Sequence, residues 1–330
     1  MPPAVVAAIS GLDAPVPQIG RAAGVHRARL VSRPTMVTSV PPPAVTTTDG
    51  VEIAVHDLGG DGPPLLFAHA TGFHGLVFAP LAHLLTGQFH SVALDERGHG
   101  DSGLPPEMDF DWRGFARDAL AAVDGLGLTR PFGIGHSGGG AGLLLAEQAR
   151  PGTFRALYLF EPVVFPPNGP FPNGSGDNPL TESARRRREI FDSRQEAFDN
   201  YASKPPFDRL DPDVLRAYVD HGFADLDDGR VHLKCRGETE ALVYESSFGH
   251  DAYDHLPEVR CPVTVACGAM SDTFGTALVE ALVDRLPRAR GEVVPGVGHF
   301  GPLEDPALLA HSIRSAFSPE SFPPSDTPRL

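Results

Sequence analysis

The sequence predicts an α/β fold: a mostly parallel central sheet flanked by helices, with a helical cap domain inserted into the chain. Two observations predict it. From residue 51 onward, short apolar runs typical of strands alternate with stretches of helical spacing, and strand, helix, strand is the repeating unit of parallel sheets. The alternation stops between residues 163 and 260 and then resumes. Such a gap is too long for a simple connection and indicates an inserted segment.

Composition indicates an ordinary globular protein and argues against binding to nucleic acid. Hydrophobic residues make up 41% and charged residues 21% of the 330 residues, and the formal net charge is -15. Nucleic-acid binding needs a basic face that neutralises phosphates, which this balance opposes. No apolar run is long enough to span a bilayer. Three cysteines are too few for a disulfide framework or a cysteine metal site. We therefore expect a soluble, cytoplasmic protein with no nucleic-acid or membrane partner.

The first 48 residues are predicted to form a disordered leader. They contain four arginines but only one acidic residue, Asp13, and they end near the run Pro41-Pro42-Pro43. An Arg-rich, acid-poor start resembles a transit peptide. Met36 offers the alternative that we prefer, in which translation begins there.

The first part of the core is predicted over residues 49–162. It begins with 51–58, where apolar and polar residues alternate as in a half-buried strand. Four further apolar runs and three segments of helical spacing follow. The predicted strands are 51–58, 64–70, 91–94, 131–135 and 156–160, and the predicted helices are 77–85, 112–126 and 138–149.

The cap is predicted over residues 163–260. It opens with a loop rich in Pro, Gly and Asn and then shows helical stretches near 182–201, 211–223 and 237–247. Its run of four arginines, 185–188, is interpreted as a solvated helix face. Its aromatic residues favour an apolar portion of a substrate. The second part of the core, residues 261–317, supplies strands at 262–268 and 291–295 and a final helix, and residues 318–330 are predicted to be a flexible tail.

Ser137 is the predicted nucleophile. It lies in Gly135-His136-Ser137-Gly138-Gly139, directly after an apolar strand and at the start of a helix. G-x-S-x-G in this strand, turn and helix setting forms a sharp turn that exposes the serine. The N-terminus of the helix directs backbone N–H groups toward the site, so we expect the N–H of Gly138 to help bind an oxyanion.

His299 is the predicted base, since a serine hydroxyl needs an adjacent base to take its proton. Of the fourteen histidines, His299 lies just beyond the last predicted strand and before the final helix. This late position fits the chain order that accompanies the G-x-S-x-G motif, in which the serine comes first, the acid second and the histidine last. His69, His99 and His136 are placed in turns and loops, and we expect each of them to support the backbone.

Four segments together resemble the α/β-hydrolase superfamily over residues 50–317. They are H-A-T-G at 69–72, D-E-R-G-H-G-D-S-G at 95–103, G-H-S-G-G at 135–139 and G-H-F at 298–300. The resemblance implies that Thr71 donates the second oxyanion N–H, in a loop that has Ala70 where the family usually has Gly. Haloalkane dehalogenases and epoxide hydrolases use Asp at the position of Ser137. The serine indicates acyl transfer to water instead.

Two carboxylates compete as the acid that orients His299. Asp272 follows the strand at 262–268, the common location in the family, although the usual G-x-x-D spacing would put the acid at Ser271. Glu161 ends the strand at 156–160. Haloalkane dehalogenases with a Glu acid and the zearalenone-type lactonases are similar in placing a Glu there. We prefer Glu161 and keep Asp272 as the alternative.

These features predict a serine hydrolase that cleaves an ester or lactone of an apolar small molecule through an acyl-enzyme intermediate. Water is the second substrate, and no cofactor or metal is required. Two alternatives stay open on the same triad: hydrolysis of a carbon–carbon bond and cofactor-free perhydrolysis. A third, from another class, is a ligand receptor without turnover. The sequence leaves homo-oligomer formation open.

Overall fold

The computed structural model describes residues 43–167, 179–318, 320 and 321. Most of the predicted leader and tail lies outside these residues. The predicted leader extended to residue 48, but strand β1 (Ala44–Thr46) pairs with the next strand of the main sheet. The ordered core therefore begins before residue 49. This short strand was missed because three residues carry no readable alternation, and its pairing with the neighbouring segment 52–54 defines it.

The main sheet has eight strands and is mostly parallel, so the predicted α/β fold is confirmed. Besides β1, its strands are β2 (Glu52–Gly59), β3 (Pro64–Ala68), β4 (His90–Leu94), β5 (Phe132–His136), β6 (Ala156–Phe160), β10 (Val263–Gly268) and β11 (Ala289–Val294). The strand order is β1-β2-β4-β3-β5-β6-β10-β11, and the antiparallel pairs are β1 with β2 and β2 with β4.

Helices cover both faces of this sheet. The central strands β5, β6 and β10 are buried along their whole length because helices pack on either side of them. The helices of the core are α1 (Ala79–His83), α2 (Trp112–Gly125), α3 (Gly138–Ala149), α8 (Thr276–Arg285), α9 (Gly301–Glu304) and α10 (Pro306–Ala316). None of the helices in the described ranges is long and apolar enough to cross a membrane.

Within the described residues, the chain between β6 and β10 contains four α-helices and three short strands. These elements are α4 (Pro179–Arg185), β7 (Ile190–Phe191), α5 (Arg194–Ala202), α6 (Pro212–Gly222), β8 (Phe223–Asp225), β9 (Val231–Leu233) and α7 (Gly237–Ser246). The three strands form a small antiparallel sheet of order β7-β9-β8.

The helical stretch predicted near 182–201 was wrong as a single element. Helix α4 ends at Arg185, and the chain then runs extended through β7, which pairs with β9. Ser193 starts α5 by accepting a hydrogen bond from the Glu196 N–H, which is an N-cap. The short strands β7, β8 and β9 were not predicted at all, because two or three residues carry no readable period of alternation.

The register of the central strands brings three strand ends together. His136, the last residue of β5, pairs with Phe160, the last residue of β6, and Phe160 in turn pairs with Ala266 of β10. In a parallel sheet the carboxyl ends of the strands share one edge, where ligands bind in open α/β folds. The residues that follow β5, β6 and β10 therefore lie side by side at this edge.

Candidate active site

Ser137 sits on a strained turn between β5 and α3. Its φ of 53° and ψ of -115° are sparsely populated for a residue with a side chain. The turn is held from β6, since the Ser137 N–H donates to the Phe160 carbonyl at 3.0 Å. The Val163 N–H donates to the Ser137 carbonyl at 3.1 Å. These bonds fix the position of the side chain at the edge of the sheet.

The glycines around Ser137 permit the close approach of α3 to the sheet. A Cβ on Gly135 would lie 2.5 Å from Gly140 Cα, and a Cβ on Gly139 would lie 2.4 Å from backbone atoms of Ala68. Distances this short are sterically forbidden, so only glycine fits at both positions. Glycine is a poor helix former, and its presence in the first turn of α3 is explained by this packing.

Two backbone N–H groups, those of Gly138 and Thr71, lie close together beside Ser137. Gly138 is the first residue of α3, so its N–H has no acceptor within the helix. Thr71 lies next to it, because a Cβ on Gly138 would be 3.6 Å from the Thr71 N. The Gly139 N–H donates to the His69 carbonyl at 2.9 Å and joins the two segments. This geometry suits a pair of donors for a developing oxyanion.

Glu161 contacts His299 directly. The Nδ1 of His299 lies 2.6 Å from Glu161 Oε2, and the glutamate side chain is 0% exposed while that of the histidine is 18% exposed. A carboxylate only accepts hydrogen bonds, so Nδ1 donates the proton and Nε2 is left as the basic nitrogen. Like Ser137, Glu161 has a positive φ, 47°.

Ser271 is a functional candidate that sequence reasoning missed. Its Oγ donates to Glu161 Oε2 at 2.9 Å, and the Gly268 N–H donates to Glu161 Oε1 at 2.9 Å. The carboxylate is thus held by two donors besides His299. The signal was present in the sequence, since Ser271 occupies the position at which the usual G-x-x-D spacing would put the acid.

Asp272 lies elsewhere. It is exposed, and its Oδ1 accepts a hydrogen bond from Thr273 Oγ1 at 3.3 Å. It lines the same cavity as Ser137. The structure therefore brings Glu161, rather than Asp272, to the Nδ1 of His299.

Three other histidines support the backbone of the site. His136 Nε2 donates to the His299 carbonyl at 2.8 Å. His69 Nδ1 donates to the Ala70 carbonyl, and its Nε2 accepts from the Glu96 N–H, both at 2.9 Å. His99 Nδ1 lies 3.0 Å from the Arg97 carbonyl. Burial lowers the pKa of His69 to about 3 and the pKa of His136 well below its ordinary value, so both stay neutral.

Ser137 and His299 open onto a cavity of about 290 Å³. Its lining is mainly apolar, and more than half of the residues that line it come from the chain between β6 and β10. The apolar and aromatic residues of the lining are Ala70, Phe73, Val163, Phe165, Leu180, Ala184, Pro205, Pro206, Phe207, Tyr244, Phe248, Met270, Phe274 and Phe300. A chamber of this size and character suits a small, mainly apolar molecule.

One buried ion pair interrupts this apolar lining. Arg187 Nη1 lies 2.5 Å from Glu240 Oε2, and the side chains are 6% and 8% exposed. Arg187 Nη2 also donates to the Tyr218 hydroxyl, and the Tyr244 hydroxyl donates to Glu240. The neighbouring Arg185 is exposed and pairs with Glu238 at the surface. The interpretation of the arginine run as a solvated face therefore fails at Arg187, and no sequence signal distinguished it from its neighbours.

The described residues contain no group of three or more His, Cys, Asp and Glu side chains that could hold a metal ion. The three cysteines are buried and unpaired. Burial raises the pKa of the Cys267 thiol to about 11, so it is a poor nucleophile at neutral pH.

Comparison with known proteins agrees with this architecture. The profile of the Alpha/beta hydrolase family matches residues 65–312. The 2-(acetamidomethylene)succinate hydrolase of Mesorhizobium japonicum is 24% identical over 77% of this chain and 87% of its own. Human monoglyceride lipase is 34% identical over 37% of this chain and 43% of the lipase. A crystal structure of E-2-(acetamidomethylene)succinate hydrolase superposes with a TM-score of 0.70 at 21% identity, covering 83% of this chain and 97% of that one.

Proposed function

Because this chain belongs to the alpha/beta hydrolase family, we propose that it is a serine hydrolase that cleaves a carboxylic ester or lactone through an acyl-enzyme intermediate. One observation carries the proposal. The Glu161 carboxylate accepts a hydrogen bond from His299 Nδ1 at 2.6 Å, and His299 and the strained Ser137 line one cavity. A serine, a histidine and a buried carboxylate in this relation form the machinery of acyl transfer.

The proposed reaction begins when His299 Nε2 removes the proton of Ser137 as Oγ attacks the substrate carbonyl. The N–H groups of Thr71 and Gly138 stabilise the oxyanion of the tetrahedral intermediate. His299 then gives its proton to the leaving alcohol, and an acyl-enzyme remains. Water, activated by the same histidine, releases the acid and restores Ser137. Glu161 stabilises the imidazolium that forms in both steps and keeps the ring in the required tautomer.

An ester or lactone is the substrate that this machinery fits best. The nucleophile is a serine, which attacks carbonyl carbon and gives an acyl ester. The cavity lining is mainly apolar, which favours a neutral substrate. Similarity to a monoglyceride lipase across the segment they share supports ester hydrolysis.

A fluorophosphonate probe tests the activated nucleophile, and a panel of p-nitrophenyl esters and macrocyclic lactones tests turnover. We expect labelling of Ser137 in the native protein, and we expect Ser137→Ala to lose labelling and to lower kcat by about 10⁴-fold or more. Ser247→Ala is the matched control, since Ser247 lines the same cavity and its hydroxyl donates to the Val243 carbonyl. It should be labelled and should remain active.

The same panel separates the rival functions. A chain that the probe labels but that cleaves only carbon–carbon bonds, or that acts only with added hydrogen peroxide and a carboxylic acid, would refute the ester assignment while keeping the nucleophile. A chain that is not labelled at Ser137 would refute the hydrolase proposal as a whole and favour a ligand receptor.

A further inference from the structure

Six phenylalanine rings of the cavity lining form a continuous ladder with the His299 ring at its centre. Each of these six residues lines the cavity that contains Ser137. Two of the rings, Phe274 and Phe300, contact the His299 ring directly, and two further rings follow each of them. We call the first set the Phe274 arm (Phe274, Phe165 and Phe248) and the second set the Phe300 arm (Phe300, Phe73 and Phe207).

The Phe274 arm begins with a parallel stack. The Phe274 ring lies 5.3 Å from the His299 ring at an interplanar angle of 8°. Phe165 stacks on Phe274 at 5.5 Å, and Phe248 lies 5.6 Å from Phe165. Phe165 lies in the segment after β6 and Phe248 lies in the segment after α7, so the arm connects the His299 ring with both segments.

The Phe300 arm begins with an edge contact. The Phe300 ring lies 5.0 Å from the His299 ring at 73°. Phe73 lies 5.5 Å from Phe300, and Phe207 stacks on Phe73 at 5.7 Å. Phe73 belongs to the loop that also carries Thr71, so this arm lies on the side of the proposed oxyanion donors.

From this arrangement we propose that the substrate carries an apolar, ring-sized group on each side of the scissile bond, and that each arm binds one of them. This inference rests on the proposed function. In that reaction the carbonyl carbon lies at Ser137, and the acyl and alcohol portions extend from it in different directions. Phe73 of the Phe300 arm lies two residues from Thr71, the proposed donor to the carbonyl oxygen, and on this proximity we assign the acyl portion to the Phe300 arm. The Phe274 arm binds the alcohol portion.

Apolar contact with both arms should raise affinity in a way that does not depend on turnover. Removing a phenyl-sized apolar surface from water contributes about a tenfold to hundredfold gain in affinity. On the Phe300 arm, the Arg187 guanidinium lies 5.7 Å from the centre of the Phe207 ring and is already paired with Glu240, so a charged group bound there would lose its hydration and compete with that pair. The class of substrate is therefore a neutral ester or lactone with bulky apolar groups at both ends.

The test uses the Ser137→Ala variant, which binds intact esters, and isothermal titration calorimetry. Four esters vary each side separately: ethyl acetate, phenethyl acetate, ethyl 3-phenylpropionate and phenethyl 3-phenylpropionate. We expect each phenyl group to strengthen binding by about tenfold or more, with the doubly substituted ester bound most tightly. Equal affinity for all four esters, or a gain from only one of the two phenyl groups, would overturn the two-arm proposal.

Two further variants in the Ser137→Ala background assign the arms. Phe248→Leu should weaken the binding of phenethyl esters by about three- to tenfold, and Phe207→Leu should do the same for phenylpropionate esters. If Phe207→Leu does not fold, Phe300→Leu replaces it. Phe89→Leu is the matched control, because Phe89 is a buried ring that packs on Phe132 and Phe317 outside the cavity.

If both arm variants weaken every ester equally, the assignment of the arms is wrong. Failure of the proposed function is seen separately, as the absence of probe labelling at Ser137 in the native protein. Binding to the Ser137→Ala variant still decides whether two apolar subsites exist.

Discussion

Two residues of the site, Ser137 and Glu161, hold their backbones in the left-handed region, which side chains rarely adopt. Their φ values are 53° and 47°, and such a conformation costs about 1–3 kcal/mol for each residue. Both are kept in place by backbone hydrogen bonds that they donate to the next strand of the sheet. The Ser137 N–H donates to Phe160, and the Glu161 N–H donates to Ala266 at 2.8 Å. Strain at adjacent strand ends, with both side chains directed into the site, is what the proposed catalytic roles require.

The first residue-scale prediction concerns the acid. Glu161→Gln should lower kcat by about 10³- to 10⁴-fold, because an amide neither stabilises the imidazolium nor fixes the required tautomer of His299. Asp272→Asn should change kcat by less than about threefold, since Asp272 is exposed and lies away from Nδ1 of His299. Steady-state rates on a p-nitrophenyl ester at neutral pH measure both effects.

Thermal melting of the two variants is the control for this experiment. The Glu161 carboxylate also accepts bonds from Gly268 and Ser271, so the Gln variant must be shown to remain folded at the assay temperature. An active Glu161→Gln together with an inactive Asp272→Asn would reverse the assignment of the acid.

At the scale of elements, the Arg187–Glu240 pair is the point where the helices between β6 and β10 meet the loop that carries Thr71. Arg187 follows α4, Glu240 lies on α7, and Tyr218 on α6 accepts a hydrogen bond from the arginine. Glu240 Oε1 also packs against the loop, since a Cβ on Gly72 would lie 2.7 Å from it. Three helices and the loop that carries Thr71 thus meet at this ion pair.

Removing one member of this pair should be more damaging than removing both. Arg187→Met or Glu240→Leu leaves a buried charge without its partner and should lower the free energy of unfolding by about 3–5 kcal/mol. The double variant replaces the pair with apolar side chains and should lose much less than the sum of the two. Urea unfolding of the four proteins measures this coupling.

The surface pair Arg185–Glu238 is the matched control for that cycle, because its members are 39% and 59% exposed. Water screens such a pair, so Arg185→Met should have little effect on stability. Strictly additive losses at Arg187 and Glu240 would show that the buried contact does not couple the elements.

Elements with a local sequence signal were predictable, and those made by distant contacts were not. Helix α3 and strand β6 follow from spacing and glycine placement over residues 138–149 and 156–160, and the structure has the same bounds. Strands of two or three residues such as β7 are defined by a partner far along the chain. The same reason hid Arg187 and Ser271, since burial and hydrogen-bond partners depend on which segments pack together.

At the scale of the whole molecule, the core holds histidines that stay neutral because they are buried. Burial lowers the pKa of His69 to about 3, with a further decrease from His99 and an opposing effect of Asp95. Burial likewise lowers the pKa of His74 to about 4. In the unfolded chain a histidine binds a proton near its ordinary pKa of 6.5. Between the low pKa values of the folded state, about 3 and 4, and the unfolded value of 6.5, the unfolded chain therefore binds more protons than the folded protein.

This difference sets the sign of the pH dependence. Stability from the neutral histidines is fully present above about pH 6.5 and is lost as the pH falls, because protons then favour the unfolded chain. Urea unfolding between pH 7 and pH 4 should show a falling free energy of unfolding. In His69→Gln, which keeps a donor and an acceptor but does not titrate, the slope should be shallower by up to about 1.4 kcal/mol per pH unit. His83→Gln, at an exposed position, should keep the native slope; an unchanged slope in His69→Gln would show that His69 is not a source of the acid sensitivity.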